Sequence, residues 1–209
     1  MYESQSINSI IFKNEHNLTG EFTYRAFISR LKKAFNWEDL VFKYEKYEDI
    51  DVDDYTISGA YDMHEHKRYV VINFSNKSNK FILNRHDFLL FRFLLSQTIQ
   101  HETVHRDQWQ KRPAVVDKVS IDFKEKKVTK SEEMEYLSDR DEIDAYAHDI
   151  AMEIKYYYPN IPPYAVLKNI FKYKKIISFN YYRKTFRNKK WNDIKNLLFL
   201  KTYKWIPYV

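Results

Sequence analysis

Val70, Ile72 and Phe74 recur at every second position and fall on one side of their segment. A period of two puts alternate side chains on one face of a strand, so KRYVVINFS (67–75) predicts a strand with one buried face. TISGAYD (56–62) predicts a second strand, joined to the first by a polar turn around MHEH. Helical spacing dominates elsewhere. EFTYRAFISRLKKAFN (21–36) predicts an amphipathic helix starting at Thr19-Gly20, and the acidic YEDIDVDDY that follows reads as a loop. A long helix is expected from Arg85 or Asp87 to Lys111, ended by Pro113. Leu90, Leu94, Thr98, His101 and His105 form a stripe along it, and on this reading the two histidines continue its buried face. Weak alternation over 114–130 predicts a surface hairpin or an irregular insert. SDRDEIDAYAHDIAMEIKYYY reads as a helix with Ser138 or Asp139 as N-cap, closed by Tyr158-Pro159. AVLKNIFKYKKI and NDIKNLLFLKTYKWI are helical in character. The fold class expected is α+β.

Composition narrows the chemistry. The 209 residues include no cysteine, which excludes disulfides, thiolate metal sites and cysteine nucleophiles. Only two glycines are present, which argues against phosphate-cradling loops. MYESQSINSI does not read as a secretory signal, and the apolar run FLLFRFLL is too short for a membrane span and holds Arg92. The expected location is the cytoplasm, with no membrane partner. Heavy use of Lys, Asn, Ile, Tyr and Phe fits an AT-rich genome such as that of a phage, which would make the cell a bacterial host and a place in the virion an alternative. The net charge of +6 is uneven: residues 160–209 hold 12 Lys or Arg and one acid, Asp193.

QHETVHR (100–106) carries the sharpest signal. Residues four apart on a helix lie one above the other, so His101 and His105 can aim ring nitrogens at one ion. Glu102 is rotated from His101 by about a quarter turn. From there it cannot easily be a third ligand, but it can hydrogen-bond a water at the ion and act as general base. With no cysteine available, a third ligand must be His or carboxylate. Glu142, in the first turn of the helix DEIDAYAHDIA, is the leading candidate, because Ala145 leaves room for a neighbouring helix; Asp144 and Asp141 are rivals. An acid there is equally an N-terminal residue stabilised by the helix dipole. Asp149, on the face of Glu142, is a candidate to orient a ligand imidazole. His64 and His66 fit a solvated turn better than a metal pair. His148, Tyr136 and Tyr146 are candidate oxyanion donors with packing roles as the plainer alternative. His16 and His86 suggest no role.

HETVH on a helix preceded by two strands and followed by D-E-I-D-A-Y-A resembles the zincin metallopeptidases, in their glutamate-ligand (gluzincin-like) branch. The E-x-D-A-x-A run is similar to the second helix of small ImmA/IrrE-type peptidases and to phage-encoded metallopeptidases. The resemblance covers about residues 55–158 and lacks the third histidine of the metzincin motif. It implies a minimal zincin-like core of a small mixed sheet, an active-site helix and a second, ligand-bearing helix. It implies Zn²⁺ on His101, His105 and Glu142, and Glu102 activating the water that attacks a peptide. An edge strand, TISGAYD or KRYVVINFS, would hold the protein or peptide substrate.

The expected organisation is a metallopeptidase domain over 1–159 and a basic, mostly helical extension over 160–209 packed on it. FKYKKIISFNYYRKTFRNKKW interleaves rings with cations, which suits nucleic acid or a larger assembly, although an amphipathic subdomain explains the pattern as well. Besides the peptidase, two alternatives stand: a catalytically silent zincin-like structural or binding protein, and a nucleic-acid-binding protein.

Overall fold

The computed structural model describes residues 4–112, 129–186 and 190–209. It mixes helices with two small sheets, and its contacts divide it into two compact units, Met1–Asp107 and Gln108–Val209. The insert expected over 114–130 lies outside the described residues except for its last two.

The first unit begins with helices α1 (Ser4–Lys13) and α2 (Glu15–Leu18), which the polar N-terminal sequence does not announce. Strand β1 (Gly20–Thr23) precedes helix α3 (Tyr24–Phe35). Thr23, not Thr19-Gly20, starts this helix: its side chain accepts from the Ala26 amide. Asn36 ends it in the left-handed conformation, donating its N–H to Lys32 O. Strands β2 (Leu40–Tyr47), β3 (Tyr55–Asp62) and β4 (Lys67–Ser75) form a mixed sheet ordered β2-β4-β3, with β2 parallel and β3 antiparallel to β4. Strand β5 (Lys80–Leu83) pairs with β1.

The sheet registers explain its inner face. Phe74 lies opposite Tyr55, Ile72 opposite Ile57, Val70 opposite Gly59 and Arg68 opposite Tyr61. Val70, Ile72 and Phe74 are fully buried, as the alternation requires. They join a cluster rich in rings: Tyr24 stacks on Phe74 at 4.2 Å, and Phe27 meets Phe74, Phe81 and Phe91 edge-on.

Helix α4 (Arg85–Lys111) runs along this core and carries its last turn into the second unit. Phe88, Phe91, Leu95 and Ile99 are its core stripe, and the next residue at that spacing is Glu102. This corrects the stripe read from the sequence: Leu90 is exposed, while Leu94, Thr98, His101 and His105 are half-buried. A stripe one position over is equally periodic, and the ring-rich core chooses the phenylalanines.

The second unit is helical. Helix α5 (Lys130–Leu137) opens with a capping box: Thr129 accepts from the Glu132 amide while Glu132 accepts from the Thr129 amide. Helix α6 (Arg140–Tyr157) is capped by Asp139 and ends at Tyr158, as expected. Among the described residues, helices α7 (Pro163–Lys168), α8 (Ile177–Thr185) and α9 (Lys190–Trp205) follow. Ile143, Ala147, Ile150 and Ile154 of α6 share one buried cluster with Val166, Phe179, Tyr182, Phe186 and Leu198, so 160–209 is built into the same core as α6. No helix among the described residues is long and apolar enough to cross a membrane.

Candidate metal centre

Helix α4 places His101 and His105 one turn apart, with their Nε2 atoms 3.2 Å from each other and their rings tilted by 70°. Two nitrogens at 2.0–2.1 Å from one ion would subtend roughly 100° at that separation, close to the tetrahedral angle zinc adopts. One ligand atom of each imidazole and one of the Glu142 carboxylate all lie within 4.8 Å of one another. Among the described residues this is the one group of three or more His, Asp or Glu side chains that could hold a metal ion. The donor set fits zinc: two imidazoles and a carboxylate, three protein ligands, leave a fourth position for water or substrate.

The neighbourhood of Glu142 is organised from α4. Gln108, one turn beyond His105, donates its side-chain amide to Asp141 O at 3.1 Å, and the Arg112 guanidinium meets the Asp141 carboxylate at 2.5 Å. These bonds tie the first turn of α6 to the last turn of α4. They also occupy Asp141, one of the rival ligands. The other rival, Asp144, accepts from Trp205 Nε1 at 3.0 Å and pairs with Lys201 at 3.1 Å, which commits it to α9. Glu142 is 9% exposed.

Glu102 is 5% exposed, and its side chain lies against β3 at Gly59. The residues beside it are held by an ionic network that the sequence reading missed. Arg68, 1% exposed, donates to Thr103 Oγ1 at 2.6 Å and pairs with Asp39 at 2.7 Å. Arg106 reaches the same Asp39 carboxylate at 3.3 Å and also pairs with Asp107. Burial opposes ionisation of Asp39, but hydrogen bonds and charge from Arg68, then Arg106, outweigh it and hold the carboxyl below its ordinary range. Thus β4 and the residue preceding β2 grip α4 at positions 103 and 106, on either side of His105. A signal was available: Arg68 shares its parity with Val70, Ile72 and Phe74, a charge on the apolar face of a strand.

The other candidates have the following surroundings. His64 and His66 are exposed in the β3–β4 turn, where His64 N donates to Asp62 Oδ1 and His66 has a φ of 53°. His148 meets the Trp205 ring edge-on at 5.0 Å, and Tyr146 packs on Tyr182 at 5.2 Å. Tyr136 packs at the rim of the helical cluster, and His16 and His86 are exposed. Asp149 is buried, with Oδ1 3.7 Å from His148 Nδ1. Of the two strands considered for substrate, KRYVVINFS is the central strand and is paired on both sides, so it has no free edge; among the described residues TISGAYD is an edge.

No protein-family model matches the chain, and no curated protein or solved structure is significantly similar to it.

Proposed function

We propose that the protein is a zinc-dependent hydrolase of peptide bonds. The observation that supports this reading best is the convergence of His101, His105 and Glu142, with the carboxylate of Glu102 one residue along the same helix. His101, His105 and Glu142 would hold the metal. Zinc, when bound, supplies a Lewis acid that polarises a carbonyl and acidifies water. Glu102 accepts a proton from the attacking water as the new C–O bond forms, and gives it to the amine nitrogen as the C–N bond breaks. Burial of Glu102 limits competing bulk water. The Arg68–Asp39–Arg106 network holds the turn bearing Thr103 and Arg106 in place.

Glu102→Gln should retain zinc and lose hydrolysis of a general substrate such as labelled casein by about 10²–10⁴-fold, the range for a general base. Full activity in that variant, or zinc-free protein after purification in zinc, would sink the reading.

A second reading, nucleic-acid binding through 160–209, is favoured by one observation. Lys168, Lys172, Lys174, Lys175, Arg183 and Lys184 are all exposed, and so are Tyr164 and Tyr203, whose rings lie 4.7 Å apart. Against it, Phe179, Tyr182 and Phe186 of the interleaved stretch are core residues with no face to offer a base. Retention on DNA that falls steeply with salt would support this reading; no retention at low salt would end it.

A further inference from the structure

Gly59 is one of two glycines in the chain, and it sits inside β3, where glycine weakens a strand. The usual reason for glycine is missing. Gly20 has a φ of 121° that side chains rarely adopt, whereas Gly59 is not among the positive-φ residues. Its backbone would accept alanine. What excludes alanine is space: a Cβ at position 59 would lie 2.5 Å from Glu102 Oε1, 2.8 Å from Cγ and 2.9 Å from Cδ.

Oε1 and Cδ end the side chain, but Cγ does not. Cγ is one bond from the helix-anchored Cβ, and the helix itself is held by Arg68 on Thr103, the next residue. Glu102 is almost fully buried, so a displaced carboxylate cannot simply turn out into solvent. Val70, the partner of Gly59 in the register, is fully buried and closes the neighbouring strand position. The carboxylate therefore lies directly against the backbone of an edge strand, in a notch one methyl group deep.

We propose that Gly59 is a positioning residue: the missing side chain forms a seat that fixes the Glu102 carboxylate against β3. This rests on the reading of Glu102 as general base for its catalytic consequence, but the seat itself does not. A base must be held near one geometry to work, and a displacement of about 1 Å can cost roughly a hundredfold in rate. A side chain at 59 would push the carboxylate off β3, since the three atoms nearest its Cβ all belong to Glu102.

The test is a double-mutant cycle on the full chain: Gly59→Ala, Glu102→Ala and both together, unfolded in urea. Gly59→Ala should lower the unfolding midpoint when Glu102 is present. It should leave the midpoint unchanged or raise it when residue 102 is alanine, because the clash is gone and alanine restricts the unfolded chain. A single variant that fails to fold while the double variant folds gives the same answer. Equal effects in both backgrounds overturn the seat. In parallel, Gly59→Ala should keep its zinc and lose at least about tenfold in kcat on labelled casein, with KM within about twofold. Unchanged kcat in a metal-loaded variant overturns the positioning role. Wild-type protein that binds zinc but never cleaves casein defeats the peptidase reading, and the stability cycle alone then decides the seat.

Discussion

Arg68 heads the largest fully buried side chains, and its partners show why it stays. A guanidinium removed from water needs both charge and hydrogen-bond partners. Asp39 supplies the charge and Thr103 a hydroxyl acceptor, while the Trp37 ring lies 5.3 Å away. Breaking a buried pair costs about 3–5 kcal/mol, but Asp39 keeps a third of its side chain in solvent, so Asp39→Asn should cost about 2 kcal/mol at neutral pH in urea unfolding. The sign with pH follows from the lowered carboxyl: folded Asp39 ionises below its unfolded value of about 3.9. Its contribution is fully present above that value and is lost as pH falls through the folded value. Midpoints of wild type and Asp39→Asn should therefore converge on acidification; a constant gap would show that the asparagine acts through packing instead. At the residue scale, spacing was enough to place His101 and His105 one turn apart with their ring nitrogens together. It was not enough for Asp39, Arg68 and Gly59, whose roles arise from strands that bring distant positions together.

At the scale of elements, local periodicity located the long helix, α6 with its Asp139 cap, and strands β3 and β4. It missed β2, although Leu40, Phe42 and Tyr44 alternate there, because the acidic loop that follows dominates the composition. It missed β5, a four-residue strand whose identity comes from pairing with β1 and not from its own pattern. Helix α8 was hidden for another reason. Its N-cap position, Ile176, offers no side-chain acceptor, so no sequence signal marks the start. A partner from outside the segment does the work: the Glu153 carboxylate of α6, 3% exposed, accepts from the Ser178 amide at 3.1 Å and from Ser178 Oγ at 2.8 Å. A buried acid at a helix start also complements the dipole. Glu153→Ala should destabilise the protein by about 2–3 kcal/mol, because it removes a charged acceptor and leaves buried donors unmet. Ser178→Ala, which keeps the amide bond, should cost about 1 kcal/mol. Chemical denaturation of both variants checks the order; a larger loss at Ser178 would place the stabilisation in the hydroxyl alone.

For the whole molecule, the informative quantity is the dependence of its stability on metal. His101, His105 and Glu142 are 41 residues apart at their extremes in sequence, and the unfolded chain cannot present them together at low entropic cost. An ion that binds the folded chain and not the unfolded one stabilises it by RT ln(1 + [L]/Kd), about 2.7 kcal/mol at a hundredfold excess over Kd. For a chain of this length, that corresponds to a rise of roughly 5–10 °C in the thermal midpoint. Titrating zinc into chelator-treated protein should raise the midpoint with the logarithm of free zinc. His101→Ala and Glu142→Ala should each remove most of the rise, because each takes away one of three donors. Glu102→Gln should retain it, because Glu102 lies against β3 and is not one of the three donors. Asp144→Asn is the discriminating control: its carboxylate is bonded to Trp205 and Lys201, so it should lower the midpoint equally with and without zinc. A zinc-dependent rise that survives His101→Ala but vanishes in Asp144→Asn would move the metal to a different group of ligands and take the proposed chemistry with it.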